Sequence, residues 1–264
     1  MEVTNSKMSS TSAVGPRRKI VGTSLKMYFD LDKTLTYAAD LANISTHAES
    51  NNIDLFIIPD FVSLLPVKDA LKGTQVQLGA QDAFWEDAGA FTGEVSCRTL
   101  KQAGVRIVEL GHAERRRLFG ETDATAAKKA AAACKNGLVP LVCIGEKTHG
   151  KIASQAVGMA IEECRPQVMS LLQAIPDDAE LILAYEPVWA IGASEPADPD
   201  HVVAVTQQIR KMAEGRKGLT RILYGGSAGP GTYDRLRDGV DGLFLGRFAH
   251  DVENLEKVIK EMSE

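Results

Sequence analysis

From Lys19 onward, short continuous apolar runs alternate with longer amphipathic stretches: "KIVGTSL", "IDLFIIP", "VQLGAQ", "IVELG", "VPLVCIG", "LILAYEP", "RILYGG" and "GLFLG". Runs that stay apolar, without polar alternation, predict strands covered on both faces, as in a parallel sheet. Between them, "DATAAKKAAAACKNG" and "HVVAVTQQIRKMAEG" carry helical patterns, and Gly137 and Gly215 stand where helix C-caps belong. Eight runs past residue 18 leave about 31 residues per unit, close to the size of a βα repeat. Strict sequence repeats are absent, so the periodicity is architectural. It predicts one (β/α)8 TIM barrel over residues 19–264, with a doubly wound open sheet as the weaker alternative.

Residues 1–18, "MEVTNSKMSSTSAVGPRR", have nothing periodic to bury and predict a flexible tail. A transit peptide is the rival reading; Glu2 and the lack of an amphipathic stripe argue against it. The 264 residues are 44% hydrophobic and 25% charged, enough for one large core. A net charge of −5 gives no electrostatic footprint for nucleic acid, and no apolar run approaches the roughly 18 residues needed to cross a membrane. Cys97, Cys134, Cys143 and Cys164 show no CxxC spacing, and the N-terminus lacks the apolar core of a signal peptide. A cytoplasmic protein with reduced thiols and small-molecule partners is expected. No cofactor is implied, and no His, Cys or carboxylate cluster has metal-ligand spacing.

In such barrels the chemistry sits at the C-terminal ends of the strands, which directs attention to Lys26, Gln81, His112, Glu186, Ser227 and Arg247. Glu186 is the most pointed of these: a carboxylate at the end of a buried run is costly unless something uses it. Lysine, histidine and glutamate on one rim form an acid/base set. Each also has a plainer reading: a surface lysine, a structural histidine, a glutamate paired with a rim cation. "YGGSAGPG" and "LFLGR", after the seventh and eighth runs, leave backbone N–H groups free to approach an anion, where barrels often hold phosphate.

The segments "GTSLKMY", "GAQDAFWEDAGAFTGEVS", "VELGHAERRRLFGET", "AYEPVWAIG" and "ILYGGS", in this order and spacing, resemble the triosephosphate isomerase family, from about residue 19 to the end. The resemblance implies that Glu186 is the base that moves a proton between adjacent carbons. It implies further that His112 is a neutral electrophile, that Lys26 stabilises the enediolate, and that Glu114 is a supporting carboxylate. Residues 187–197 would form a water-excluding lid, and backbone groups at Gly192, Ser227, Gly246 and Arg247 would hold the phosphate. The family also implies a homodimer through the loop around Thr92, whose Phe84, Trp85 and Phe91 offer an apolar surface.

Against the family pattern, Ser24 replaces an asparagine, Leu25 a tryptophan, Tyr28 an asparagine, Ala113 a serine and Arg247 a glycine, and the lid reads "GASEPA". Ser24 leaves room at the site for one more hydroxymethylene unit. Arg247 offers a guanidinium to phosphate or to an added hydroxyl. "GTS" before the Lys-Met pair and "GR" after the last run resemble isomerases of four-carbon erythrulose phosphates. The expectation is therefore an aldose-ketose isomerase of small sugar phosphates: triose phosphates as the family default, an erythrulose phosphate as the alternative. A non-catalytic sugar-phosphate-binding barrel is the remote reading, weakened by the presence of Lys26, His112 and Glu186. A Schiff-base aldolase is weaker still, since Lys26 lies beside an intact proton-shuttling pair.

Overall fold

The computed structural model of the chain describes residues 17–150, 152–191 and 196–264. Each apolar run forms a strand: β1 (Lys19–Ser24), β2 (Ile53–Ile58), β3 (Gln77–Ala80), β4 (Ile107–Leu110), β5 (Val139–Ile144), β6 (Leu181–Tyr185), β7 (Thr220–Tyr224) and β8 (Gly242–Leu245). Each pairs in parallel with its successor, and β8 pairs with β1 from Ile20↔Gly242 to Thr23↔Leu245, which closes the barrel. The open-sheet alternative is thereby excluded.

The runs are continuous because both faces of each strand are covered. Side chains alternate between a lumen cluster, including Ile20, Phe56, Ile107, Leu141, Ile182 and Phe244, and an outer layer packed under the helices. That layer is formed by α1 (Leu31–Ser50), α2 (Leu64–Ala70), α3 (Cys97–Gln102), α4 (Ala113–Phe119), α5 (Asp123–Lys135), α6 (Ala153–Ala174), α7 (Pro199–Met212), α8 (Thr232–Leu236) and α9 (Val252–Ser263). The two helical patterns read from the sequence are α5 and α7. Gly137 (φ 68°) and Gly215 (φ 85°) follow them in the left-handed conformation that closes a helix.

Two details differ from the sequence reading. The fourth unit carries two helices, because Gly120 (φ 71°) stops α4 and Thr122 starts α5 with a capping box. At the base of the barrel, Arg17 pairs with Asp241 at 3.1 Å and Arg18 with Asp54 at 2.9 Å, so the last two residues of the expected tail are tied to the fold. Residues 1–16 lie outside the described residues.

Candidate active site

Ser24, Lys26, His112, Glu114, Glu186, Ser227, Gly246 and Arg247 line one cavity of about 390 Å3 at the C-terminal mouth of the barrel. Every expected site residue that the structure describes is thus brought together. Gly192 lies outside the described residues. Gln81 stands behind Lys26, its amide donating to Lys26 O at 2.8 Å. That anchor matters because Lys26 has φ 49°, a left-handed conformation that costs a non-glycine residue about 1–2 kcal/mol. Lys26 lines the cavity, and its Nζ donates to Glu114 Oε1 at 2.8 Å. Burial opposes the Lys26 charge, but Glu114, with Glu186 and Glu109 behind it, outweighs burial and holds the pKa above the ordinary lysine value.

His112 caps the short helix α4, and its Nδ1 accepts the Glu114 N–H at 3.2 Å. An Nδ1 that accepts leaves the proton on Nε2, which points at Glu186 Oε2, 3.6 Å away. Burial and the neighbouring Lys26 charge push the His112 pKa down to about 4, so the ring is neutral near pH 7.

Glu186 follows β6 and is buried, and its Oε2 has no hydrogen-bond partner among the described residues. Burial and the charge of Glu109 raise its pKa to about 8, against the opposing charge of Lys26. It packs on Gly225 so closely that a Cβ there would meet Glu186 Cγ at 2.5 Å and Oε1 at 2.6 Å. Gly226 and Ser227 follow Gly225 at one side of the cavity, and Gly246 and Arg247 follow β8 beside them. Arg247 is exposed and lines the cavity.

Glu109 escaped the sequence reading. It sits inside "IVELG", and the argument that singled out Glu186, a carboxylate within an apolar run, applies to it equally. Its neighbours on β4 fix its direction: Ile107 belongs to the lumen cluster, Val108 and Leu110 to the outer layer, so Glu109 points into the barrel.

The lid stretch begins as a 3-10 turn, Val188–Ala190, in which the Trp189 indole donates to Glu146 Oε1 at 2.9 Å and stacks on His149. Residues 192–195 lie outside the described residues. On the loop after β3, Phe84 stacks against both Trp85 and Phe91, and Trp85 packs on the core. The three aromatics expected to form one projecting surface instead pack largely on one another. Phe91 stays 42% exposed, and Thr92 is exposed at the tip.

A buried base, a neutral imidazole and a fixed ammonium beside backbone donors suit one kind of chemistry, removal and return of a proton next to a carbonyl on an anionic substrate. This is the work of intramolecular phosphosugar isomerases, and the protein is an enzyme of that class. The family model that matches residues 19–262 is that of triosephosphate isomerase, and the chain belongs to the triosephosphate isomerase family. A neutral histidine at a helix N-terminus beside a carboxylate base is the established arrangement of that family.

Among curated relatives, the L-erythrulose-1-phosphate isomerase of Pectobacterium atrosepticum is 44% identical over 93% of this chain and 96% of its own length. Enzymes of the same name from Rhizobium meliloti and Brucella abortus are each 42% identical. They cover 92% and 88% of this chain, and 96% and 92% of their own lengths. These names favour the four-carbon alternative over the triose default.

Proposed function

We propose that the protein isomerises L-erythrulose 1-phosphate by proton transfer through an enediolate. The observation that carries this reading is the single cavity in which Lys26, His112 and Glu186 face one another beside the Ser227 and Gly246–Arg247 loops. The relatives' substrate supplies the carbon count, and Ser24, shorter than the family's asparagine, supplies the room.

The structure of that substrate dictates the direction of reaction. Its C1 carries the phosphate ester, C2 is the ketone and C3 bears a hydroxyl, so the exchangeable proton that yields a stable isomer is on C3. In its ionised form, which grows as pH rises toward 8, Glu186 takes that proton, the electron pair moves into the C2 carbonyl, and Lys26 and His112 Nε2–H stabilise the resulting oxyanion. The hydroxyl proton passes from O3 to O2 by way of His112, and Glu186 returns its proton to C2. The product is a second ketose, erythrulose 4-phosphate, rather than an aldose. Backbone donors at Ser227, Gly246 and Arg247 hold the phosphate, with the Arg247 guanidinium adding charge.

The enzyme acts as a homodimer whose loop around Thr92 docks beside a neighbour's active site. Support comes from exposed apolar residues on the loops after β1 and β2 and on α4 after β4, among them Met27 at 94% and Val62 at 83% exposure, with Leu118 and Phe119.

NMR of L-erythrulose 1-phosphate with the enzyme in D2O tests the chemistry. Erythrulose 4-phosphate is the expected product, with deuterium confined to the new C–H centre in those turnovers in which the Glu186 proton exchanges with solvent before it is returned. Deuterium at any other carbon would contradict proton transfer between C3 and C2, and absence of turnover would overturn the substrate.

A further inference from the structure

Glu109 has no visible structural task. It is 3% exposed inside an apolar lumen, and its Oε2 is without a hydrogen-bond partner among the described residues. The Ser24 hydroxyl beside it favours the charged carboxyl, yet Ser24 Oγ is buried and makes no hydrogen bond of ordinary geometry among the described residues. A buried polar group left unpaired costs about 1–3 kcal/mol, so this donor and acceptor destabilise the fold unless a ligand reaches them. Lys26 and Glu186 also act on Glu109 through their charges, and Ser24, whose hydroxyl acts on it too, lines the cavity together with them, so Glu109 lies behind that part of the cavity wall.

The barrel order says which part of a ligand would arrive there. The loops for phosphate follow β7 and β8, whereas Glu109 lies on β4, halfway round the closed barrel from β8. A substrate anchored by phosphate on one side, with its carbonyl between Lys26 on the β1 loop and His112 after β4, directs its far end toward β4. In a four-carbon ketose 1-phosphate that end is the C4 hydroxymethyl group; a triose phosphate has nothing to place there.

We propose that Glu109, together with Ser24, forms the polar subsite that receives the terminal hydroxymethyl group of the substrate and selects four-carbon over three-carbon sugar phosphates. The subsite rests on the erythrulose-phosphate reading above. The C4 hydroxyl donates to the Glu109 carboxylate and accepts from the Ser24 hydroxyl, so both unpaired groups are satisfied at once. A three-carbon substrate leaves both unsatisfied, and a site built to hydrogen-bond a hydroxyl discriminates more strongly than one offering only apolar room.

The test compares kcat/KM for L-erythrulose 1-phosphate and for glyceraldehyde 3-phosphate in wild type, Glu109→Val and Glu109→Gln. A ratio taken within one variant cancels any change that the substitution makes in Glu186. Glu109→Val should lower the four-carbon to three-carbon ratio roughly 10- to 100-fold, the worth of a hydrogen bond to a charged group. Glu109→Gln, which keeps an acceptor, should fall in between. Inhibition by inorganic phosphate should be unchanged, and Glu109→Val should melt no lower than wild type. Equal losses on both substrates, or an unchanged ratio, would overturn the subsite while leaving the four-carbon reading intact. Failure of the wild type to turn over L-erythrulose 1-phosphate would overturn that reading and the subsite with it. Should Glu109→Val not fold, an unchanged ratio in Glu109→Gln together with Ser24→Ala would refute the subsite.

Discussion

Replacing Gly225 by alanine should disable the base without unfolding the barrel. A Cβ at this position would stand 2.5 Å from Glu186 Cγ and 2.6 Å from Oε1, whereas ordinary contact begins near 3.4 Å. The carboxylate must therefore retreat by 0.8–0.9 Å, the difference between those distances. Gly225 does not adopt a positive φ, so alanine meets no backbone strain and the change falls on Glu186 alone. Displacing a reacting group by about 1 Å costs roughly 10²-fold in rate. Steady-state kinetics on L-erythrulose 1-phosphate should accordingly show kcat reduced about 100-fold. Inhibition by inorganic phosphate should change far less, because the loop donors keep their places. Circular dichroism and a melting curve close to wild type would show an intact barrel. A Gly225→Ala enzyme with kcat near wild type would refute the tight placement of Glu186.

Other outcomes follow from the same geometry. Glu186→Gln should remove most turnover, roughly 10²–10⁴-fold, while inorganic phosphate still protects against thermal unfolding. Glu186 and Glu109, with pKa values raised to about 8 and about 7, bind protons more tightly folded than unfolded. Their stabilising contribution is complete below the ordinary carboxylate range and is lost as pH rises through the folded values. The depressed His112 pKa acts in the opposite sense below about 6.5. Between pH 6.5 and 8 these two carboxyls lose their protons in the folded state, so urea midpoints should fall across that window in wild type and fall less in Glu109→Val; an identical slope would count against the raised pKa of Glu109. Thr92→Arg should shift the protein toward monomer in sedimentation and lower activity with it, since a desolvated unpaired charge costs about several kcal/mol; a wild-type monomer at micromolar concentration would remove the basis for a dimer.

The barrel was legible because each strand is buried on both faces and so stays apolar throughout, from Ile53–Ile58 to Leu181–Tyr185. Site positions were legible by the same route: residues directly after those runs fall on one rim. The rest depended on long-range packing that a local pattern does not carry. Helix α4 is short and buries none of its residues, so it has no apolar stripe to announce it, yet it sets the tautomer of His112. Glu109 was hidden by the continuity of its own strand. The aromatic loop could be seen as apolar, but only the fold shows Trp85 packing on the core and Phe84 packing on Trp85 and Phe91 while Thr92 stays exposed.

The central claim, that this member of the triosephosphate isomerase family is built for a four-carbon substrate, is tested most directly by kcat/KM of the purified enzyme on L-erythrulose 1-phosphate, dihydroxyacetone phosphate and glyceraldehyde 3-phosphate under one set of conditions. A kcat/KM for L-erythrulose 1-phosphate well above both triose values is expected, with the gap narrowed in Ser24→Asn combined with Arg247→Gly. Turnover of glyceraldehyde 3-phosphate near the diffusional ceiling of about 10⁸–10⁹ M⁻¹s⁻¹, with only traces on the four-carbon substrate, would contradict it.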